Sequence, residues 1–275
     1  MLVLVAGATG AVGTELVREL MARHHRVRGL SRHACNIADE AVQADATATD
    51  LTGVCRGVDV VISALGASVS PNAPEKRSYD AVDYVGNSRL LAEAKQAGVK
   101  RFIYVSVHVE EGYRNNGYIA AHERFVDELR ASGLSSTIIR PTGIFSAFAE
   151  ILNYARQGPV PVLGDGSAKS NPVHEADVAL AAINALESGP AAIDIGGPDI
   201  LTRRQVAEEM FRALGKKPRI LSMPVGVFGV LTKLMSLGSP RKKELFDFLK
   251  AVAVTDSVAP ALGKQRLADY LRRKA

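Results

Sequence analysis

Residues 2–13 read LVLVAGATGAVG, and the reading of this stretch decides the fold. Leu2, Val3, Leu4 and Val5 form the unbroken apolar run of a strand buried on both faces. Ala6 to Gly13 follow without a break, and Thr14 to Ala22 then shows helical periodicity. Strand, glycine turn and helix in that order aim backbone N–H groups and the positive helix end at an anion, most often a dinucleotide pyrophosphate. Gly7 makes the sharp turn, Gly10 leaves room for a phosphate, and Gly13 lets the helix sit close on the sheet. The spacing is GxxGxxG rather than the usual GxGxxG.

The rest of the chain repeats this alternation of strand and helix. Strands are expected at 25–30, 41–45, 58–64, 101–106, 136–140 and 192–195. Helices are expected at 79–97, 117–132 and 202–214, the last opened by a Thr202–Gln205 capping box. Such a rhythm predicts an α/β protein, a Rossmann-type doubly wound parallel sheet. After about Ala147 the rhythm changes, with no repeat, low-complexity segment or clean boundary. The expectation is one NAD(P)-binding Rossmann domain over 1–275, with 147–275 forming a small C-terminal α/β substrate-side region.

Composition narrows the function. A chain of 275 residues with 47% hydrophobic and 23% charged residues is an ordinary globular protein. No signal-peptide pattern opens it, and no apolar run reaches the ~18 residues of a membrane span. With only Cys35 and Cys55, a disulfide framework is not expected and a reducing cytoplasm is. Six histidines and two cysteines show no metal-ligand spacing. A net charge of +5 without interleaved aromatics or a recognition motif speaks against nucleic acid. It suits a polyphosphate cofactor better.

The end of the second strand selects the cofactor. It reads RGLSRH, with no carboxylate before Asp39 to take ribose hydroxyls. Arg32, helped by Ser31 or His33, is the candidate for a 2′-phosphate, which a guanidinium grips bidentately. NADP(H) is therefore expected over NAD(H). At the end of the VDVVISA strand, Ala64, Leu65 and Gly66 let the nicotinamide-side ribose pass. The loop from Ala67 to Lys76 is placed at the border of a substrate cleft.

Several motifs resemble the short-chain dehydrogenase/reductase superfamily in its extended and atypical, NmrA-like branches. These are the GATGxxG turn, VDYVGNSRLL within the helix at 79–97, and SGLSSTIIRPTGIF at 132–145. The resemblance covers most of 1–200 and is loose beyond. It implies cofactor contacts from Gly7, Thr9, Gly10, Ala11, Val12, Gly13, Ser31, Arg32, Ala64, Leu65, Gly66 and Pro141. It also places Asp45 at the adenine amino group, although Asp45 is equally suited to cap the segment at 47–53. His174 and Asp177 fall in the stretch that returns to the sheet, read as a strand end and a helix cap.

Superfamily catalysis uses Ser, Tyr and Lys, the last two as YxxxK on one helix face. Here Ser106 matches the serine, and Tyr118 is followed four residues later by His122 instead of lysine. An imidazole holds a ribose hydroxyl but does not stabilise a tyrosinate as an ammonium does. Tyr113, Tyr79 and Tyr84 are competing donors. The missing lysine points to the branch near quinone, isoflavone and divinyl chlorophyllide vinyl reductases. The expected function is NADPH-dependent hydride transfer to a small apolar acceptor: a quinone, enone or conjugated alkene. The alternatives are a non-catalytic NADP-binding sensor, regulator or assembly factor, and then a sugar-nucleotide epimerase or dehydratase, which the missing YxxxK disfavours. A small-molecule substrate and a monomer or homodimer are expected. The apolar, glycine-bearing stretch 223–237 is read as pocket lining or core, with a dimer contact or a peripheral membrane contact as alternatives.

Overall fold

A computed structural model describes residues 1–70, 77–108 and 116–275. The opening strand is β1 (Leu2–Ala6), followed by α1 (Ala11–Ala22), β2 (Arg26–Ser31), β3 (Glu40–Gln43) and β4 (Val60–Ser63). A π-helical segment, Asp80–Gly86, runs directly into α2 (Asn87–Gln96). Then come β5 (Arg101–Val105), α3 (Gly117–Ala131) and β6 (Ser135–Pro141). The strand order is β3-β2-β1-β4-β5-β6-β9, where β9 is Ala192–Ile195, and every neighbouring pair is parallel. The chain reverses direction across the sheet between β1 and β4. Ligands of open α/β sheets bind at that switch, outside the carboxyl ends of the strands.

Alternation along each strand explains the two layers. Val3 and Val5 point into one core with Leu16, Val17, Ile62, Ile103, Val178 and Ile183. Leu4 and Ala6 point into the other, with Val61, Leu90, Phe102, Tyr104, Phe125 and Leu129. One face is therefore covered by α1 and by α5 (Glu175–Asn184), the other by α2 and α3. This is the doubly wound sheet expected from the sequence. The expected strand and helix limits hold to within two or three residues. The helix expected at 79–97 is the exception in kind, since its first part is π-helical.

Beyond β6 the chain builds α4 (Phe145–Gln157), β7 (Val160–Leu163) and β8 (Lys169–Ser170) before α5. After β9 come β10 (Leu201–Thr202), α6 (Arg203–Ala213), β11 (Ile220–Met223), α7 (Val225–Met235), α8 (Pro240–Val254) and α9 (Leu267–Lys274). The Thr202–Gln205 capping box opens α6 as expected. Phe145, Leu152, Val160, Val162, Val206, Phe211, Leu267 and Leu271 form a third apolar cluster, separate from the two that cover the sheet. His174 and Asp177 are structural. The His174 Nδ1 accepts from the Ala176 N–H at 3.0 Å, and Asp177 Oδ2 accepts from the Lys264 and Gln265 N–H groups at 3.0 Å.

One expectation fails here. The stretch 223–237 does not enter a core among the described residues: of the residues of α7 only Thr232 is buried. Val227, Val230, Leu231, Leu234 and Met235 are exposed, as is Leu237 just beyond. An apolar helical stretch reads the same whether or not a partner covers it, so its composition does not tell where it faces.

Candidate nicotinamide-cofactor site

The turn after β1 is built around backbone approach. Gly7 has φ +76°, and a Cβ placed there would lie 2.5 Å from the Ala64 carbonyl oxygen. At Gly13 a Cβ would lie 2.0 Å from the Gly7 carbonyl oxygen, so α1 rests directly on the turn. Gly10 is the N-cap of α1 and supplies no side-chain hydrogen bond, and the first turn carries no acidic residue. The tip, Thr9 to Ala11, is exposed, while Val12 and Gly13 are buried beneath it. A helix start left uncapped by the chain's own side chains and open at its tip suits a diphosphate. The residues present therefore fit the cofactor the turn implies.

Ser31 and Arg32 stand at the carboxyl end of β2, where the sequence placed them. Ser31 is buried and its hydroxyl donates to the His33 carbonyl at 2.5 Å; Arg32 is exposed. Asp45 follows β3 and is held by its neighbours. Its carboxylate accepts from the Thr47 N–H (2.9 Å) and hydroxyl (2.8 Å) and from Arg77, and these bonds hold its pKa below the usual value although desolvation opposes them. No helix follows: residues 46–57 form turns, so Asp45 closes a turn on Thr47 and the expected short helix from 47–53 is absent.

Ala64, Leu65 and Gly66 leave β4 towards the same edge, with Ser63 fixing them from below. The Ser63 hydroxyl donates to Asn87 Oδ1 (2.5 Å), and the Asn87 amide donates to the Leu65 (3.1 Å) and Asp83 (2.8 Å) carbonyls. Pro141 is buried at the end of β6 and its carbonyl accepts from the His108 N–H at 2.8 Å. Ser106 follows β5, is buried, and carries a hydroxyl without a hydrogen-bond partner.

Tyr118 and His122 lie on one face of α3, as their spacing requires. The half-buried Tyr118 ring is boxed edge-on by Tyr79 (centroids 5.1 Å), His122 (4.7 Å) and Phe248 of α8 (4.8 Å). Burial, and then the charge of Asp83, push its hydroxyl well above the ordinary tyrosine pKa. It is held protonated, suited to donate a hydrogen bond and unsuited to act as a tyrosinate.

His122 is buried, its Nδ1 lies 2.5 Å from the Tyr104 hydroxyl, and its Nε2 lies 3.2 Å from Asp83 Oδ1. Both ring nitrogens therefore face protein groups, a setting the superfamily resemblance did not imply for this position. Burial raises the Asp83 pKa against the opposing pull of His122 and the Ala67 N–H, and it raises that of Tyr104 as well.

Asp83 and Tyr104 have no role in the sequence reading, and Tyr79 enters it only as a competing donor. Tyr79 is buried, its hydroxyl has no partner, and burial pushes its pKa up to about 12. Their one legible signal is polar or phenolic side chains inside otherwise apolar segments. Tyr113 and the end of the 67–76 loop lie outside the described residues. A cavity of about 500 Å³ opens beside Ala11 and Thr14 and is lined by Ser146, His174, Tyr270 and Lys274, but neither Ser106 nor Tyr118 borders it.

Residues 7–189, which hold the glycine turn and the whole Tyr118 cage up to α8, match a family model described as NAD(P)H-binding. The chain belongs to the NAD(P)H-binding family. Within it the chain resembles a divinyl chlorophyllide a 8-vinyl-reductase of Arabidopsis thaliana, 27% identical over 269 residues. That match covers 86% of this chain and 64% of the plant protein, so the chain spans somewhat under two thirds of that relative. It also resembles a (4-alkanoyl-5-oxo-2,5-dihydrofuran-3-yl)methyl phosphate reductase of Streptomyces griseus, 29% identical, covering 89% of this chain and 84% of that one. Among solved structures, a UDP-glucuronic acid 4-epimerase from Bacillus cereus superposes with a TM-score of 0.74 at 16% identity, over 100% of this chain and 98% of that one. At that identity the likeness shows the shared fold of NAD(P)H-binding chains and no more.

Proposed function

We propose that this chain is an NADPH-dependent reductase acting on a small, largely apolar acceptor with an electron-poor double bond or a quinone ring. The observation that carries the reading is the pairing of a cofactor-fitting turn with a tyrosine held protonated at the carboxyl edge of the sheet. The bound cofactor would supply hydride. Tyr118, boxed by Tyr79, His122 and Phe248, presents its O–H as the donor that receives charge developing on the acceptor. Ser106, whose buried hydroxyl has no partner among the described residues, is the second donor. A phenol held protonated meets the acceptor as a hydrogen-bond donor rather than as a base.

Arg32 at the end of β2 supports NADPH over NADH, with Gly7, Gly10 and Gly13 seating the diphosphate. The relatives named as reductases lend support by likeness. An epimerase would need a tyrosine that gives up its proton to act as a base, which the Tyr118 cage opposes. A non-catalytic NADP-binding role is favoured by one observation, the histidine at 122 where the superfamily pattern has lysine.

Steady-state NADPH oxidation against quinones, enones and conjugated alkenes tests the proposal. Turnover that falls about 10²-fold in Tyr118→Phe, with NADPH affinity unchanged, is the expected result. Tight NADPH binding without turnover on any acceptor would instead establish the non-catalytic role.

A further inference from the structure

The apolar face of α7 is a surface feature that the cofactor site does not use. Val227, Val230, Leu231 and Leu234 recur at helical spacing, and Leu237 continues the line. Val230, Leu234, Met235 and Leu237 are 61–74% exposed. Single exposed leucines are ordinary on a soluble protein, but a contiguous row on one short helix is not.

Charge indicates what covers it. Between Glu209 and Glu244 the chain carries eight Lys or Arg residues and no Asp or Glu, more positive charge than the +5 of the whole protein. Lys216, Lys217 and Arg219 are exposed just before β11, Lys233 is exposed on α7, and Lys242 and Lys243 are exposed in the first turn of α8. We propose that α7 and its basic rim dock on an anionic lipid surface, with α7 lying in the plane of the headgroups.

An apolar helix face bordered by lysine and arginine is the composition of interfacial helices. Each cation near an anionic leaflet adds attraction that apolar burial alone does not give. At 11 residues α7 is about 17 Å long, too short for a ~30 Å hydrocarbon core, so it lies on a bilayer and does not cross it. A second copy of the chain is a poorer occupant. A two-fold contact through α7 sets the patch against itself and brings two cationic rims together.

The position of α8 ties this surface to the site. Its first turn carries Arg241, whose guanidinium lies 4.7 Å from the Tyr79 ring centroid and donates to the Ser68 and Arg77 carbonyls. Further along, Leu245 and Phe248 pack against Tyr79 and Tyr118 respectively. Docking of α7 therefore brings the helix that walls Tyr118 up to the lipid, the phase in which apolar acceptors concentrate.

Flotation of the full chain with vesicles of phosphatidylcholine, with and without phosphatidylglycerol, tests the proposal. The chain is expected to float with the anionic vesicles at least about tenfold more than with the neutral ones, and to be released between about 50 and about 500 mM salt. Leu231→Glu with Leu234→Glu is expected to abolish flotation at unchanged Tm, since both side chains are exposed. Lys233→Glu and Lys242→Glu are each expected to weaken it about fivefold. Absence of flotation on either vesicle, or equal and salt-independent flotation on both, would overturn the lipid assignment. A dimer in sedimentation equilibrium that Leu234→Glu dissociates, without flotation, would overturn it in favour of a second copy.

Discussion

Asp83 and His122 are both buried, and the Oδ1 of one lies 3.2 Å from the Nε2 of the other. The two come from different elements, the π-helical segment and α3, and their contact fixes the ring that packs edge-on against Tyr118. The Ala67 N–H donates to the same Oδ1 at 3.1 Å, whereas Oδ2 has no partner. A buried carboxylate so incompletely satisfied is costly when ionised.

The pH dependence follows from that cost. Burial raises the Asp83 pKa above its ordinary 3.8. As pH rises past about 4, the unfolded chain releases this proton before the folded one, so stability declines with rising pH in that window. Asp83→Asn removes the titration and keeps an acceptor for the Ala67 N–H. Thermal melts are expected to show a decline in Tm above pH 4 in the wild type, shallower in Asp83→Asn by roughly 2–4 °C, the change that ~1 kcal/mol makes in a chain of this size. Parallel curves would remove Asp83 as the source.

Ser106 separates function from stability. A buried hydroxyl without a partner destabilises the fold by roughly 1–3 kcal/mol, so Ser106→Ala is expected to melt at the same temperature or slightly higher. Acceptor reduction is expected to drop about 10²-fold with NADPH affinity retained. A variant that melts lower and turns over normally would make the serine structural.

The glycine turn leaves little latitude. Gly13→Ala drives a Cβ against the Gly7 carbonyl oxygen, backbone on backbone, so α1 must retreat from the turn. A loss of roughly 3 kcal/mol is expected, together with loss of NADPH binding, read by calorimetry and thermal melts. Gly226→Ala in α7, where a Cβ meets nothing within 4 Å, serves as the neutral control.

The proposed preference for NADPH rests on Arg32. Charge-assisted hydrogen bonds to a phosphate are worth roughly 1.5–3 kcal/mol. Arg32→Asp is therefore expected to weaken NADPH about 10- to 100-fold in titration calorimetry and to leave NADH within about twofold. An unchanged ratio of the two affinities would move the 2′-phosphate contact to another residue.

The sequence by itself determined the sheet and its turn, because both are local. A strand buried on both faces needs an unbroken apolar run, and a backbone that lets carbonyl oxygens and helix approach within contact distance needs glycine at 7 and 13. The four-residue spacing of Tyr118 and His122 likewise sufficed to place them on one face of α3. What each of them touches was settled elsewhere in the chain. Tyr104 arrives from β5, Asp83 from the π-helical segment and Phe248 from α8, and only their convergence turned His122 inward and kept Tyr118 protonated. The same holds for α7: its residues are apolar enough for a core, but among the described residues nothing covers Val227, Val230, Leu231, Leu234 and Met235. Local pattern specifies which backbone forms, whereas exposure and proton affinity are properties of neighbours that the fold alone brings together.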